Sequence, residues 1–207
     1  MLGKAVYERF SSHCQVLATD IDVNEPWLEY GDVIDFQGIS EKASKFKPDL
    51  IINLAALTDL EHCEQNPEIT WKTNALGAEN MALISKKLNA AHIYVSTAGI
   101  FDGKKEYYND FEQPNPISIY AKSKYYGEVI VEKMLDNYFI FRAGWMMGGG
   151  IKKDKKFIKK IFQQILYGKK QLFVVDDKLG TPTYTVNFAE AMFEIVQTEL
   201  FGLYNMV

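Results

Sequence analysis

Short apolar runs recur along the chain, and between them the apolar residues fall at helical spacing. Residues 15–18 (QVLA), 50–54 (LIINL), 93–96 (IYVS) and 138–141 (YFIF) are rich in β-branched and aromatic side chains and are bounded by polar or turn residues, the marks of buried strands. Residues 4–12, 39–46, 68–88 and 118–135 carry the apolar periodicity of helices, with Pro48 and Pro67 as punctuation. Strand and helix alternate, so the expected class is α/β, a doubly wound parallel sheet with helices on both faces. Beyond Phe141 the pattern changes. Glycines 148–150 and the lysine-rich residues 152–156 read as a link, followed by an amphipathic helix, a short strand at 172–175, a helix at 183–197 and a strand at 203–207 (LYNMV).

The composition narrows the function classes. Among 207 residues, 23 Lys and Arg face 27 Asp and Glu, a net charge of −4, and a mildly acidic chain is a poor general binder of nucleic acid. The longest apolar stretches run well short of the ~20 residues that span a bilayer, and no signal-type segment opens the chain, so a soluble, unexported protein without a membrane partner is expected. Cys14 and Cys63 have no neighbouring cysteine, which suits a reduced cytoplasm, and His13, His62 and His92 are too scattered to suggest a metal site. Residues 151–170 mix lysines with Phe157, Ile158, Ile161, Phe162, Ile165 and Leu166, as a membrane-surface helix would. With no other membrane signal, a helix packed on the domain with its lysines in water is expected instead.

The sharpest chemical signal is Tyr120-Ala-Lys-Ser-Lys124. Residues four apart share a helix face, so the Tyr120 phenol and the Lys124 ammonium point toward one cleft, where the cation is expected to lower the phenol's pKa and make it a usable acid. Tyr125 and Tyr126 lack a lysine at that spacing. Upstream, strand IYVS runs into Thr97-Ala98-Gly99, which sets a hydroxyl at the C-terminal edge of the sheet, where open α/β folds bind ligands. Strand LIINL ends in Ala55-Ala56-Leu57, whose small residues admit an extended cofactor close to the backbone. Asp20 closes an earlier strand, where a carboxylate bonds an adenosine ribose and favours a free 2′-hydroxyl over a 2′-phosphate.

With INLAALTDLEHCEQNPE, TNALGAEN, YVSTAGIFDG, PNPISIYAKSKYYGE, FRAGW and VVDDKLGTPTY in this order, nearly the whole chain resembles the extended short-chain dehydrogenase/reductases, and among them the dTDP-4-dehydrorhamnose reductases. The resemblance implies a Rossmann-type dinucleotide-binding domain over residues 1–142 and part of a smaller substrate lobe over 143–207, with elements returning to the main sheet. It implies that Tyr120 donates a proton to the sugar C4 oxygen, that Lys124 holds the nicotinamide ribose and tunes Tyr120, and that Thr97 hydrogen-bonds the reacting oxygen. Gly3, Asp20, Asp32, Val33, Ala55, Ala56, Leu57 and Val95 match cofactor-contact positions, Ala98 and Trp145 substrate positions, and Asn74 a structural or relay position. The cofactor is then NAD(P)H, with NADH favoured by Asp20.

The chain departs from that family in two ways. Ala98-Gly99 stands where the reductases carry an Asp and an aromatic residue, so substrate contacts differ. Gly3 matches the last glycine of the family's Gly-x-x-Gly-x-x-Gly turn, so the resemblance implies that the first strand and most of that turn are missing and that the C-terminus is short. On this reading the strand ending at Asp20 lies beside an unfilled slot or pairs with a segment from elsewhere, and the 207-residue chain alone binds dinucleotide poorly and turns over little. The leading function is reduction of a 4-keto nucleotide-sugar. The alternatives are a non-catalytic binding or regulatory subunit that keeps the reductase fold, and a nucleotide-sugar epimerase or dehydratase. A homo-oligomer is compatible with all of them.

Overall fold

The computed structural model of the chain describes residues 1–109, 111–149, 157–174 and 180–207. In chain order these residues form α1 (Leu2–Ser11), β1 (Ala18–Asp20), β2 (Leu28–Tyr30), α2 (Phe36–Phe46), β3 (Leu50–Asn53), α3 (Leu60–Gln65), α4 (Pro67–Trp71) and α5 (Gly77–Leu88). A π-helical turn, Lys72–Leu76, joins α4 to α5. Then follow β4 (Ala91–Thr97), a 3₁₀ turn at Ala98–Ile100, α6 (Ile119–Met134), β5 (Tyr138–Ala143), β6 (Trp145–Met147), α7 (Phe157–Leu166), β7 (Pro182–Tyr184), α8 (Thr185–Val196) and β8 (Gly202–Met206).

The main sheet has the order β3-β4-β5-β8 and is parallel throughout, with Ile93 opposite Phe139 and Val95 opposite Phe141. Side chains alternate across it, so the apolar residues divide between two cores. Ile93, Phe139 and Phe141 meet Ala5, Val6 and Phe10 of α1 and Phe188, Ala189 and Met192 of α8. Tyr94 and Ile140 meet Ala78 and Ala82 of α5 and Val131 of α6 on the opposite face, while Ile51 packs among Ile39 of α2 and Met81 and Ile84 of α5. Near-continuous apolar strands and helices on both faces are the two sides of one requirement, since a parallel sheet must be covered twice. The expected doubly wound class is thus present.

Several expectations are corrected. The first strand occupies Ala18–Asp20, because Gln15 and Val16 still belong to the connection from α1. A partner strand, β2, is too short for periodicity to show. The expected helix over 68–88 is broken into α4, the π turn and α5. Residues 172–174 form no strand, while Val175 and most of the link at 150–156 lie outside the described residues. Helix α7 exists, but Phe162, Ile165 and Leu166 on it are exposed, so its apolar side is not packed down as expected.

Among the described residues, β1 pairs in parallel with β2 alone, and β3 pairs with β4 alone. Val16 just before β1 and Leu50 and Ile52 of β3 both pack against the α1 cluster. Among the described residues the two sheets therefore border one apolar core, made by α1, β4, β5 and α8, without hydrogen-bonding to each other.

Candidate active site

The site is built around the first turns of α6. Ser118 caps the helix, its hydroxyl accepting from the Ala121 N–H at 3.1 Å, and the Glu64 carboxylate of α3 accepts from the Ile119 N–H at 2.7 Å. A carboxylate at a helix N-terminus is favourable to the dipole and satisfies an otherwise orphan donor. Tyr120 follows directly. Its carbonyl accepts from the Ser123 hydroxyl at 2.8 Å, and that hydroxyl accepts in turn from the Asn74 side-chain amide at 3.1 Å. Asn74, buried in the π turn, also grips Leu57 from both sides, accepting from its N–H at 2.8 Å and donating to its carbonyl at 3.0 Å. One amide thereby ties the loop after β3, the π turn and α6 together.

Lys124 lies one turn beyond Tyr120 and is 2% exposed. Its Nζ sits 4.0 Å from the centroid of the Tyr94 ring, and among the described residues it has no hydrogen-bonding partner. Tyr94, from β4, donates its hydroxyl to the Lys124 carbonyl at 3.2 Å. A Cβ at Gly127 would collide with that same hydroxyl, so glycine there lets α6 approach β4 closely.

Thr97 ends β4. Its hydroxyl oxygen accepts from the Gly99 N–H at 3.0 Å, which leaves the hydroxyl proton free to be donated. Burial pushes the Tyr120 phenol above its ordinary pKa, and the Thr97 hydroxyl beside it partly reverses the shift. The expected lowering of the phenol by Lys124 is not found. Burial instead brings the Lys124 ammonium down to about 7, against an upward pull from Glu128, so near neutrality the lysine carries only part of its charge. Beyond Thr97 the chain folds on itself. Asp102 accepts from the Tyr108 hydroxyl at 2.6 Å and the Asn115 amide at 3.0 Å, bonds that hold its carboxyl well below the usual range, while Tyr108 stacks on Phe101.

Parallel strands bring their C-terminal ends to one edge, and several of the other sequence-selected residues stand at or just after such strand ends. Ala55, Ala56 and Leu57 leave β3, where the Asn53 side chain accepts from the Ala55 N–H at 3.1 Å. Val95 is in β4. Asp20 ends β1 with an exposed carboxylate that accepts from the Asp22 N–H at 2.9 Å. Asp32 turns the chain after β2, accepting from the Ile34 N–H at 2.9 Å, and the Val33 carbonyl accepts from Asn80 at 2.8 Å. Gly3 lies in the first turn of α1 with open space around it. Ala98 sits in the 3₁₀ turn just after Thr97, and Trp145 of β6 is half exposed against Gly180.

Sequence reasoning passed over Glu64, Ser123, Tyr94, Glu128 and Arg142. For the last two a signal was available: an arginine inside the apolar strand YFIFRA must find a buried acid, and Glu128 stands one helical turn beyond Lys124.

The sequence profile of the RmlD substrate binding domain matches residues 1–207. The chain belongs to that family. Among curated relatives of the chain, the dTDP-4-dehydrorhamnose reductase of Mycobacterium tuberculosis is 31% identical over 74% of this chain and 51% of its own length. Methionine adenosyltransferase 2 subunit beta of Xenopus tropicalis is 27% identical over 97% of this chain and 60% of its own. The chain thus spans little more than half the length of these relatives. A crystal structure of dTDP-4-dehydrorhamnose reductase from Bacillus anthracis in complex with NADP superimposes with a TM-score of 0.83 at 27% identity, covering 99% of this chain and 70% of the other.

Proposed function

We propose that the protein reduces the 4-keto group of a nucleotide-sugar with NAD(P)H. The observation that carries this reading is the Thr97 hydroxyl beside the Tyr120 phenol at the C-terminal end of β4, with Lys124 one turn further along α6 and buried bonds from Asn74 and Tyr94 holding that helix. The residues present suit a nicotinamide dinucleotide. Among the described residues Lys124 has ammonium donors without a partner, suited to ribose hydroxyls, Ala55 and Ala56 leave the backbone approachable, and Asp20 offers a carboxylate to the adenosine ribose. Gly3, Asp32, Val33, Leu57 and Val95 complete the proposed contacts.

When bound, the cofactor supplies the hydride. Tyr120 holds the proton on its phenol oxygen, which burial keeps protonated at neutral pH, and delivers it to the sugar oxygen. Thr97 donates its free hydroxyl proton to that same oxygen and orients the keto group. Trp145 packs on the sugar nucleotide from the lobe side, and Ala98 leaves room beside it.

A second reading is favoured by two observations. The Xenopus tropicalis relative, which matches 97% of this chain, is named as a subunit of methionine adenosyltransferase, and Ala98-Gly99 lacks the acid and aromatic of the reductases. On that reading the protein binds the dinucleotide without turnover. Oxidation of NADH and NADPH in the presence of a panel of nucleotide 4-keto-sugars decides between the two. Turnover that is abolished by Tyr120→Phe supports the reductase, whereas tight cofactor binding without oxidation of any sugar-mixed sample supports the binder. Two free cysteines, Cys14 and the buried Cys63, fit a reducing compartment for either, and no helix among the described residues is long and apolar enough to cross a membrane.

A further inference from the structure

Beneath the site lies a buried ion pair that the proposed reaction does not use. Arg142, near the end of β5, donates from Nη2 to Glu128 Oε2 at 2.7 Å and from Nε to Oε1 at 3.1 Å and Oε2 at 3.3 Å. Arg142 is 4% exposed and Glu128 1%. Its guanidinium carbon lies 5.4 Å from the centroid of Phe101, the residue that follows the 3₁₀ turn after Thr97. The pair therefore joins β5, α6 and the segment after Thr97 in one place.

The placement of Glu128 matters because it stands four residues after Lys124 on α6, the spacing at which a carboxylate and an ammonium on one helix ordinarily pair. They do not pair here. Among the described residues Lys124 has no ion pair, and Arg142 occupies both oxygens of Glu128. In a buried site an acid left unengaged would seek another cation, and its charge already acts on the Lys124 ammonium four residues away.

We propose that Arg142 is a positioning residue: by holding both oxygens of Glu128 it keeps that carboxylate off the Lys124 ammonium, whose donors stay available for ligand. The inference rests on the reading of Lys124 as a cofactor and acid-tuning residue. The groups around the ammonium are Tyr120 and Glu128 on its own helix, Tyr94 from β4, whose ring it covers, and Arg142 from β5, behind Glu128. Glu128 thus acts on Lys124 through its field and not through a bond, and Arg142 moderates even that. This division explains how a lysine can remain chargeable while buried and still have no donor engaged among the described residues.

The test is read on the protein alone. Lysine ¹³Cε NMR titration, with the Lys124 signal assigned by its loss in Lys124→Met, gives the midpoint in the unaltered chain. In Arg142→Met the released Glu128 pairs with Lys124, and the midpoint rises by about one pH unit or more. In the doubly substituted Glu128→Gln, Arg142→Met protein no carboxylate remains, and the midpoint falls below that of the unaltered chain. The opposite signs are the signature. A general loosening that let water in would raise both midpoints, and a pair without influence on Lys124 would leave both unmoved; either result overturns the proposal. If Arg142→Met does not fold, the double variant, which buries no lone charge, carries the test: a midpoint unchanged or raised there refutes the inference. Absence of hydride transfer in the unaltered protein would sink the reductase reading but leave these midpoints as stated, so the two failures are separable.

Discussion

The region of β4, α6 and β5 and the region of β1 and β2 are built to different standards. On the side of β4, α6 and β5, Tyr94, Asn74, Ser123, Lys124, Glu128 and Arg142 are all buried and are joined by side-chain bonds that cross from one element to the next. On the side of β1 and β2, the strands are three residues long, Asp20 is exposed, and Ile21 and Tyr30 are 64% and 59% exposed. The difference follows from what each side is proposed to do. A group that moves a proton must be held within a fraction of an ångström and screened from water. A group that only accepts a bond from a ribose hydroxyl works at a solvated strand end.

This contrast is broken most sharply by Tyr120→Phe. The ring keeps its place while the proton is lost, so turnover should fall by roughly 10²-fold or more, the usual worth of a positioned general acid, with cofactor affinity nearly unchanged. Steady-state rates beside a fluorescence titration of the cofactor check it. An equal loss in both quantities would mean that the phenol binds and does not react.

Glu128→Gln attacks the same side through stability. The substitution leaves the Arg142 guanidinium buried without its counter-charge, and breaking such a pair costs about 3–5 kcal/mol. Urea unfolding reads it. Asp20→Asn, at an exposed site on the other side, should change the same midpoint by no more than about 0.5 kcal/mol. Similar losses in the two variants would show that the sides are equally integrated, contrary to the comparison drawn from burial.

His92 supplies a pH test of the dry side. Its ring is fully buried, bonded to the Ser85 hydroxyl at 2.8 Å, and burial lowers it to about 3. Between its ordinary pKa of 6.5 and about 3 the unfolded chain binds a proton that the fold refuses, so stability falls with falling pH, by at most about 1.4 kcal/mol per unit. Lys124 acts in the same direction at higher pH: from 10.5 down to about 7 the unfolded chain is protonated and the fold is not. Urea midpoints across both windows should therefore decline toward acid. His92→Gln should flatten the lower window, and Lys124→Met the upper.

The same division explains how much of the molecule could be read in advance. The strands LIINL, IYVS and YFIF were legible because a parallel strand covered on both faces is apolar throughout, and Tyr120 and Lys124 because helix periodicity alone places them on one face. What could not be read is set by contacts between distant residues. The π turn that aims Asn74 at Leu57 and Ser123 replaces an unbroken helix only because tertiary bonds, 17 and 49 residues apart in sequence, outweigh local propensity. The raised phenol of Tyr120 was misjudged for the same reason: spacing reports a neighbouring cation but not the burial that opposes it.

The smallest effect tests the solvated side by itself. Asp20 carries its charge at the end of β1, with Asp22 and Glu25 close behind in sequence and no Arg or Lys from Ile21 to Glu29 to offset them. A ribose 2′-hydroxyl donates to such a carboxylate, while a 2′-phosphate brings like charge against it. The protein is therefore expected to accept NADH in preference to NADPH. At a solvated site this repulsion is worth about 1 kcal/mol, so Asp20→Asn should narrow the preference by roughly 5-fold and leave the Lys124 titration where it was. Parallel fluorescence titrations with the two cofactors measure the ratio. The Bacillus anthracis reductase is in complex with NADP in its crystal structure. Tight NADPH binding without detectable NADH binding would remove Asp20 from the cofactor contacts and move the recognition of the 2′ position to another part of that edge.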